Sequence, residues 1–209
     1  MRVLISLREF LKTGVFGPLH LEMNLLDVAK VLGAPSHFIT GHAENIPTYW
    51  CYGKLEIEFE EIAPHRIRFY QLEFANDLEG QFEPISRDSI LSLDGFSGKT
   101  NPSDFLQSNL CDLGQVVVNI SALADDILLN VCMGRVEIYF RVESSFTIDG
   151  NALDFIKNNS LEDFLLTIDQ QSTVDSIYVM SPSHSSTSGY MSVYRLSGTE
   201  YLNLITKDA

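Results

Sequence analysis

Hydrophobic and polar positions alternate with two different periods along this chain. Between Met23 and Pro35 the period is helical: Leu25, Val28, Val31 and Leu32 make one apolar stripe. Asn24 can cap the first turn, and Asp27 sits where a carboxylate favours the positive end of the helix dipole. Met23 and Val28 occupy the two places of a hydrophobic staple. Gly33 offers a left-handed stop and Pro35 forbids continuation. Upstream, Ser6-Leu-Arg-Glu9 is a capping-box pattern and Gly14 a natural terminator, so a short helix over Leu7–Thr13 is expected.

The period then changes to two. Thr48–Tyr52 and Leu55–Glu60 flank Gly53-Lys54, a two-residue turn of type II′. That register pairs Tyr52 with Leu55 and Trp50 with Ile57, and alternation adds Phe59 to the same apolar face. Tyr49, Cys51, Glu56, Glu58 and Glu60 fall on the opposite face. Ile67–Phe74 reads as a third strand, with Ile67 and Phe69, then Leu72 and Phe74, facing inward across a bulge near Tyr70 or Gln71. Ser36–Pro47 reads as a loop, and the polar stretch Asn76–Asp88 as the boundary between halves.

Further on, Ser89–Leu93 and Val116–Ile120 read as strands, and Asn101-Pro102 starts a helix bearing Phe105, Leu106 and Leu110. Gly53-Lys-Leu-Glu-Ile-Glu-Phe59 is answered by Gly134-Arg-Val-Glu-Ile-Tyr-Phe140, and Cys51 by Cys132, both at an offset of 81. The second hairpin pairs Met133 with Val136 and Val131 with Ile138, leaving Asn130, Cys132, Glu137, Tyr139 and Arg141 outside. Helices over Leu153–Lys157 and Ser160–Leu166, a strand over Ser176–Met180, a loop over Ser181–Gly189 and a closing hairpin of Tyr190–Leu196 with Tyr201–Ile205 complete the reading. The expected architecture is α+β: two similar helix-plus-antiparallel-sheet units over 1–80 and 81–145, with a C-terminal α+β extension over 146–209, packed as one body.

Composition narrows the function. With 209 residues, 45% hydrophobic and 20% charged, the chain is an ordinary globular sequence. Its formal charge of −14 argues against nucleic acid and against anionic membrane surfaces, since both need Lys and Arg. It permits a basic protein partner. No apolar run reaches the roughly 20 residues of a membrane span. Arg8 and Glu9 interrupt the opening apolar run before a signal core is complete, and three scattered cysteines suggest no disulfide framework, so the cytoplasm is expected.

Catalytic patterns are weak. Gly98-Lys99-Thr100 lacks the glycine that a phosphate loop needs at position 93, which is Leu93. The histidines form no ligand pair on a helix, Ser183–Ser188 around His184 form no triad, and no metal or cofactor is expected. Glu56 and Glu58 form a carboxylate pair on a polar face, with Arg66 and Arg68 as neighbours on the next strand.

Met23-Asn24, Val28, Leu32-Gly33-Ala34-Pro35 and then Trp50-x-Tyr52 resemble the SmpA/OmlA (BamE-like) family of small outer-membrane lipoproteins. The likeness spans about residues 16–60. Its αβ units are similar to those that β-lactamase inhibitor proteins repeat in tandem, where a protein binds the sheet face. The lipoprotein signal is missing, so what the resemblance implies here is a soluble bacterial protein, with toxin-immunity proteins among its kind. The expected function is therefore non-catalytic protein interaction, with immunity to a basic toxin as its specific form. The residues expected to meet the partner are Tyr49, Glu56, Glu58, Arg68, Tyr70, Glu137 and Tyr139. Two other classes stay open: a small-molecule-binding or hydrolytic enzyme using Glu56 and Glu58 with His20 or His42, and a structural homodimer formed sheet to sheet.

Overall fold

The computed structural model describes residues 3–40, 47–123, 126–142, 156, 158–182 and 191–206. The loop residues Gly41–Ile46 with His42, the turn at Asp149–Asn151, most of the helix expected over Leu153–Lys157, and the Ser183–Gly189 segment with His184 lie outside that set.

The chain opens with β1 (Val3–Ser6), α1 (Leu7–Thr13) and α2 (Leu25–Leu32). Ser6 caps α1 by accepting from the Glu9 amide at 3.1 Å, and Gly14 ends it in the left-handed region at φ 70°. Asn24 likewise accepts from the Asp27 amide at 3.1 Å, with Val28 and Leu32 buried beneath α2. Val31, expected in the stripe, turns outward and is exposed.

Next come β2 (His37–Thr40), β3 (Pro47–Tyr52), β4 (Leu55–Phe59) and β5 (Ile67–Leu72). The β3–β4 hairpin has the expected register, Tyr52 with Leu55 and Trp50 with Ile57, and Gly53 takes φ 58°. In β5 the extra residue is Arg68: Glu58 pairs with Phe69, but Phe59 pairs with Ile67. The bulge therefore lies earlier than the sequence suggests. It turns Tyr70 and Leu72 into the core and Phe69 and Gln71 to the other face, while Phe74 is exposed.

The middle holds β6 (Phe82–Ser86), β7 (Ser89–Ser92) and α3 (Pro102–Gln107), followed by β8 (Val117–Leu123), β9 (Asp126–Met133) and β10 (Val136–Val142). The last described elements are α4 (Leu161–Gln171), β11 (Ser172–Met180), β12 (Met191–Ser197) and α5 (Gly198–Thr206).

The balanced α+β repeat is not what forms. The fold is mainly β: one nine-stranded antiparallel sheet in the order β12-β8-β9-β10-β11-β5-β4-β3-β2, plus a three-stranded sheet β1-β7-β6. The strand assigned to a C-terminal extension is the seam of the large sheet. β11 pairs Ile177 with Ile138 of β10 on one side and with Leu72 of β5 on the other. The stretch Asn76–Asp88, read as the boundary between halves, contains β6, which pairs with β7. The second unit also departs from the first, because α4 interrupts the path from β10 to β11. Tyr201–Ile205 is helical rather than a strand. Ser197 and Glu200 form a reciprocal capping box, and Tyr201 and Ile205, four apart, turn one face inward.

One continuous apolar cluster fills the space between the helices and one face of the large sheet. Two core tyrosines tie helix ends to that sheet. Tyr52 donates to the carbonyl of Gly33 after α2 at 2.9 Å, and Tyr70 donates to the carbonyl of Gly14 after α1. The helices pack on this face, and among the described residues no helix packs on the opposite one.

Candidate functional site

Strand alternation sends a polar set to the open face. Cross-strand pairs link Cys51 to Glu56, Glu56 to Gln71, Gln71 to Tyr178, Tyr178 to Glu137 and Glu137 to Cys132. These six residues make one row across β3, β4, β5, β11, β10 and β9, each within side-chain reach of the next. Tyr49, Glu58, Phe69 and Met180 form the row on one side, and Tyr139 pairs with Ser176 and Asn130 on the other.

The row is bonded into two clusters. In the first, Gln71 Nε2 donates to Glu56 Oε2 at 2.7 Å and to Glu73 Oε2 at 2.8 Å, while the Tyr49 hydroxyl donates to the same Glu56 oxygen. In the second, the Tyr139 hydroxyl donates to Glu137 Oε2 at 2.8 Å. Rings run between them: Tyr49 to Phe69 at 6.3 Å, Phe69 to Tyr178 at 5.9 Å and Tyr178 to Tyr139 at 5.2 Å. Beside them Arg68 donates to Glu58 Oε1 at 2.7 Å.

The electrostatics are those of a crowded acidic surface. Burial, then the nearby charges of Glu56 and Asp175, pushes the Glu73 carboxyl up, against the pull of Arg141. Burial, then the bond to Glu56, pushes the Tyr49 hydroxyl up, and burial with Glu73 does the same to Tyr178. Burial and Glu56 raise the Cys51 thiol; burial and Glu137 raise that of Cys132 to about 11. A thiol held protonated is a poor nucleophile.

Of the residues expected to meet a partner, Tyr49, Glu56, Glu58, Glu137 and Tyr139 lie on this face, and Arg68 joins them through Glu58. Tyr70 does not: it is fully buried on the helix side, because the bulge sits at Arg68. Sequence reasoning missed Phe69, Gln71, Glu73 and Tyr178. A bulge placed two residues late hides the first two, and Tyr178 becomes central only once β11 is seen to pair with β5.

Of the residues proposed for hydrolysis, His42 lies outside the described set, and His20 does not converge with Glu56 and Glu58. His20 bonds Glu22 at 2.9 Å in the α1–α2 connection, which packs on the helix side through Phe16 and Leu19. Glu56 and Glu58 lie on the opposite face. No group of three metal-ligating side chains occurs among the described residues. A groove of about 530 Å³ lined by Leu196, Glu200, Asn203, Leu204 and Thr206 sits apart from the row. A smaller one of about 190 Å³ lies under α1, between Leu11 and Met133. The Gly98-Lys99-Thr100 turn is a packing feature: its glycine abuts the backbone of Asn76 and bonds Leu78 and Val174.

No helix among the described residues is long and apolar enough to cross a membrane. No family model, curated protein or solved structure matches the chain.

Proposed function

We propose that this chain is a non-catalytic interaction module that receives a basic protein on the open face of its large sheet. The observation that carries the reading is the Cys51–Glu56–Gln71–Tyr178–Glu137–Cys132 row with its flanking tyrosines. Interfaces are rich in tyrosine, whose ring gives contact area at low entropic cost and whose hydroxyl finds a polar partner. The acidic residues steer a cationic partner, as the formal charge of −14 does at longer range. The specific form is neutralisation of a basic toxin in a bacterial cytoplasm, where three free cysteines are at home.

The test is capture of a partner from a lysate of the source cells on the immobilised chain. A basic protein should be retained, be released by raised salt, and be lost with the pair Glu56→Lys and Glu137→Lys. Glu79→Lys, in the exposed β5–β6 connection, should retain it. Equal capture by all three chains, or capture of no basic protein, refutes the reading.

A second reading is a homodimer. One observation favours it: the edge strand β2 exposes Phe38 at 60% and Ile39 at 61%, an open ladder with apolar side chains. Light scattering that gives a monomer mass at high concentration removes it.

A further inference from the structure

The first cluster on the open face leaves one buried acceptor without a donor, and beside it Arg68 Nε is a buried donor without an acceptor. Both hydrogens of the Gln71 amide are committed, one to Glu56 and one to Glu73. That leaves Gln71 Oε1 buried with no donor, on a residue only 5% exposed. Exchanging the amide oxygen and nitrogen would set an oxygen against two carboxylates, so those carboxylates fix the orientation. Among the described residues no lysine or arginine pairs with Glu56 or Glu73. Arg68 serves Glu58, and Arg141 reaches Asp175 at 3.6 Å. The cluster thus gathers two carboxylates and an orphan carbonyl oxygen around one amide and one phenol. A buried acceptor without a donor is costly, and a ligand that supplies one recovers that cost.

We propose that Glu56, Gln71 and Glu73 form a socket for a guanidinium group, an arginine side chain of the basic partner. The proposal rests on the docking reading above and names its anchor. A guanidinium offers five N–H donors in a planar fork, enough for both carboxylates and the Gln71 oxygen, whereas an ammonium offers three in no fixed plane. It also stacks on aromatic faces, and Tyr49, Phe69 and Tyr178 stand around the cluster with centroids 6.3 and 5.9 Å apart in succession. The Glu73 carboxyl, pushed up by burial and then by the charges of Glu56 and Asp175 against the pull of Arg141, points the same way. Arginine anchors in such pockets commonly dominate binding energy at an interface.

The experiment is calorimetric titration of the full chain at low salt with acetyl-Arg-Arg-Arg-amide, and with the peptides carrying citrulline or lysine instead. The arginine peptide should bind, the lysine peptide more weakly and the citrulline peptide not at all. Glu73→Gln should weaken the arginine peptide roughly tenfold, the loss expected for one charged hydrogen bond. Glu61→Gln removes the same charge in the exposed loop after β4 and should change binding less than about twofold. In the unmutated chain the Gln71 side-chain amide resonances should move on adding the arginine peptide, a readout that does not depend on any variant folding. Absent binding, equal binding of the lysine or citrulline peptide, equal losses in the two variants, or unmoved Gln71 resonances each overturn the socket. A captured basic protein that Glu73→Gln retains and Glu137→Lys loses refutes the socket and keeps the docking reading. Peptide binding with no captured protein does the reverse.

Discussion

The Tyr201 hydroxyl donates to Asp169 Oδ1 at 2.9 Å, and both residues are buried. The same carboxylate takes the Ser103 amide at 2.9 Å and the Ser103 hydroxyl at 2.7 Å. Asn101, the expected cap of α3, makes no side-chain cap bond. Asp169 of α4 supplies the cap from across the core and Tyr201 of α5 shares it, so one carboxylate joins three helices. Tyr201→Phe should cost about 1–2 kcal/mol, one buried hydrogen bond. Asp169→Ala should cost about 3 kcal/mol, because it strands the buried partners of the carboxylate. Urea unfolding of the two single variants and the double should show losses well short of additive, since they remove one interaction twice.

Two carboxylates should give opposite pH slopes. Burial raises Asp169 above its ordinary 3.8, against hydrogen bonds from Ser103 and Tyr201 that pull it down. The folded state therefore holds the Asp169 proton more tightly, and this contribution to stability is full below 3.8 and lost as pH rises through the folded value. Glu200 is lowered from 4.5 by hydrogen bonds from the Ser197 amide and hydroxyl, so its contribution is present above 4.5 and lost as pH falls through the folded value. Urea midpoints between about pH 3 and 7 should show the wild-type advantage over Asp169→Asn shrinking with pH and that over Glu200→Gln growing. Parallel curves would contradict both assignments.

What the sequence made legible is local. α1, α2, the two hairpins and their registers follow from caps, turn glycines and alternation, which act within a few residues. The sheet's central seam does not, because no local rule pairs Ile177 with Leu72 rather than with another apolar strand. The α5 misreading is of another kind. Ser197-Gly-Thr-Glu200 is a legible capping box, but the apolar spacing of Tyr201–Ile205 also suits a strand. The open face was legible in outline, since Tyr49, Glu56, Glu58, Glu137 and Tyr139 come from hairpin register alone. Its centre was not, because Gln71 and Tyr178 depend on a bulge and on a long-range pairing.

Gly98 is held by space rather than by turn geometry. A Cβ there would lie 2.0 Å from the Asn76 carbonyl oxygen and 2.3 Å from its carbon, both backbone atoms with no freedom to withdraw. Its own amide and carbonyl bond Leu78 and Val174, so the 3₁₀ turn at Ala75–Asp77 is clamped against the start of β11. Gly98→Ala should therefore cost about 3 kcal/mol or more. Gly114→Ala meets only Asp112 Oδ1 at 3.5 Å, an ordinary contact, and should stay within about 0.5 kcal/mol of wild type. Thermal unfolding of the pair separates the two, and a mild Gly98→Ala would mean that the clamp yields.

Cys132 should be the slowest of the three thiols to react. Burial and Glu137 raise it to about 11, with Arg195 and a hydrogen bond from Asn119 acting the other way. At pH 8 that leaves a thiolate fraction of about one in a thousand, and the thiolate is the reactive form. Asn130 Nδ2 also approaches the sulfur at 3.3 Å and occupies part of its approach. Cys51 is likewise raised by burial and by Glu56, but it lies on β3, next to the edge strand β2, whereas Cys132 sits on β9 between β8 and β10. Timed labelling at pH 8 with an alkylating agent, read by peptide mass spectrometry, should modify Cys51 before Cys132. Glu137→Gln should speed the Cys132 reaction by removing the charge that opposes ionisation. If Cys132 labels first, or if Glu137→Gln leaves its rate unchanged, the acidic row does not control the chemistry of that face.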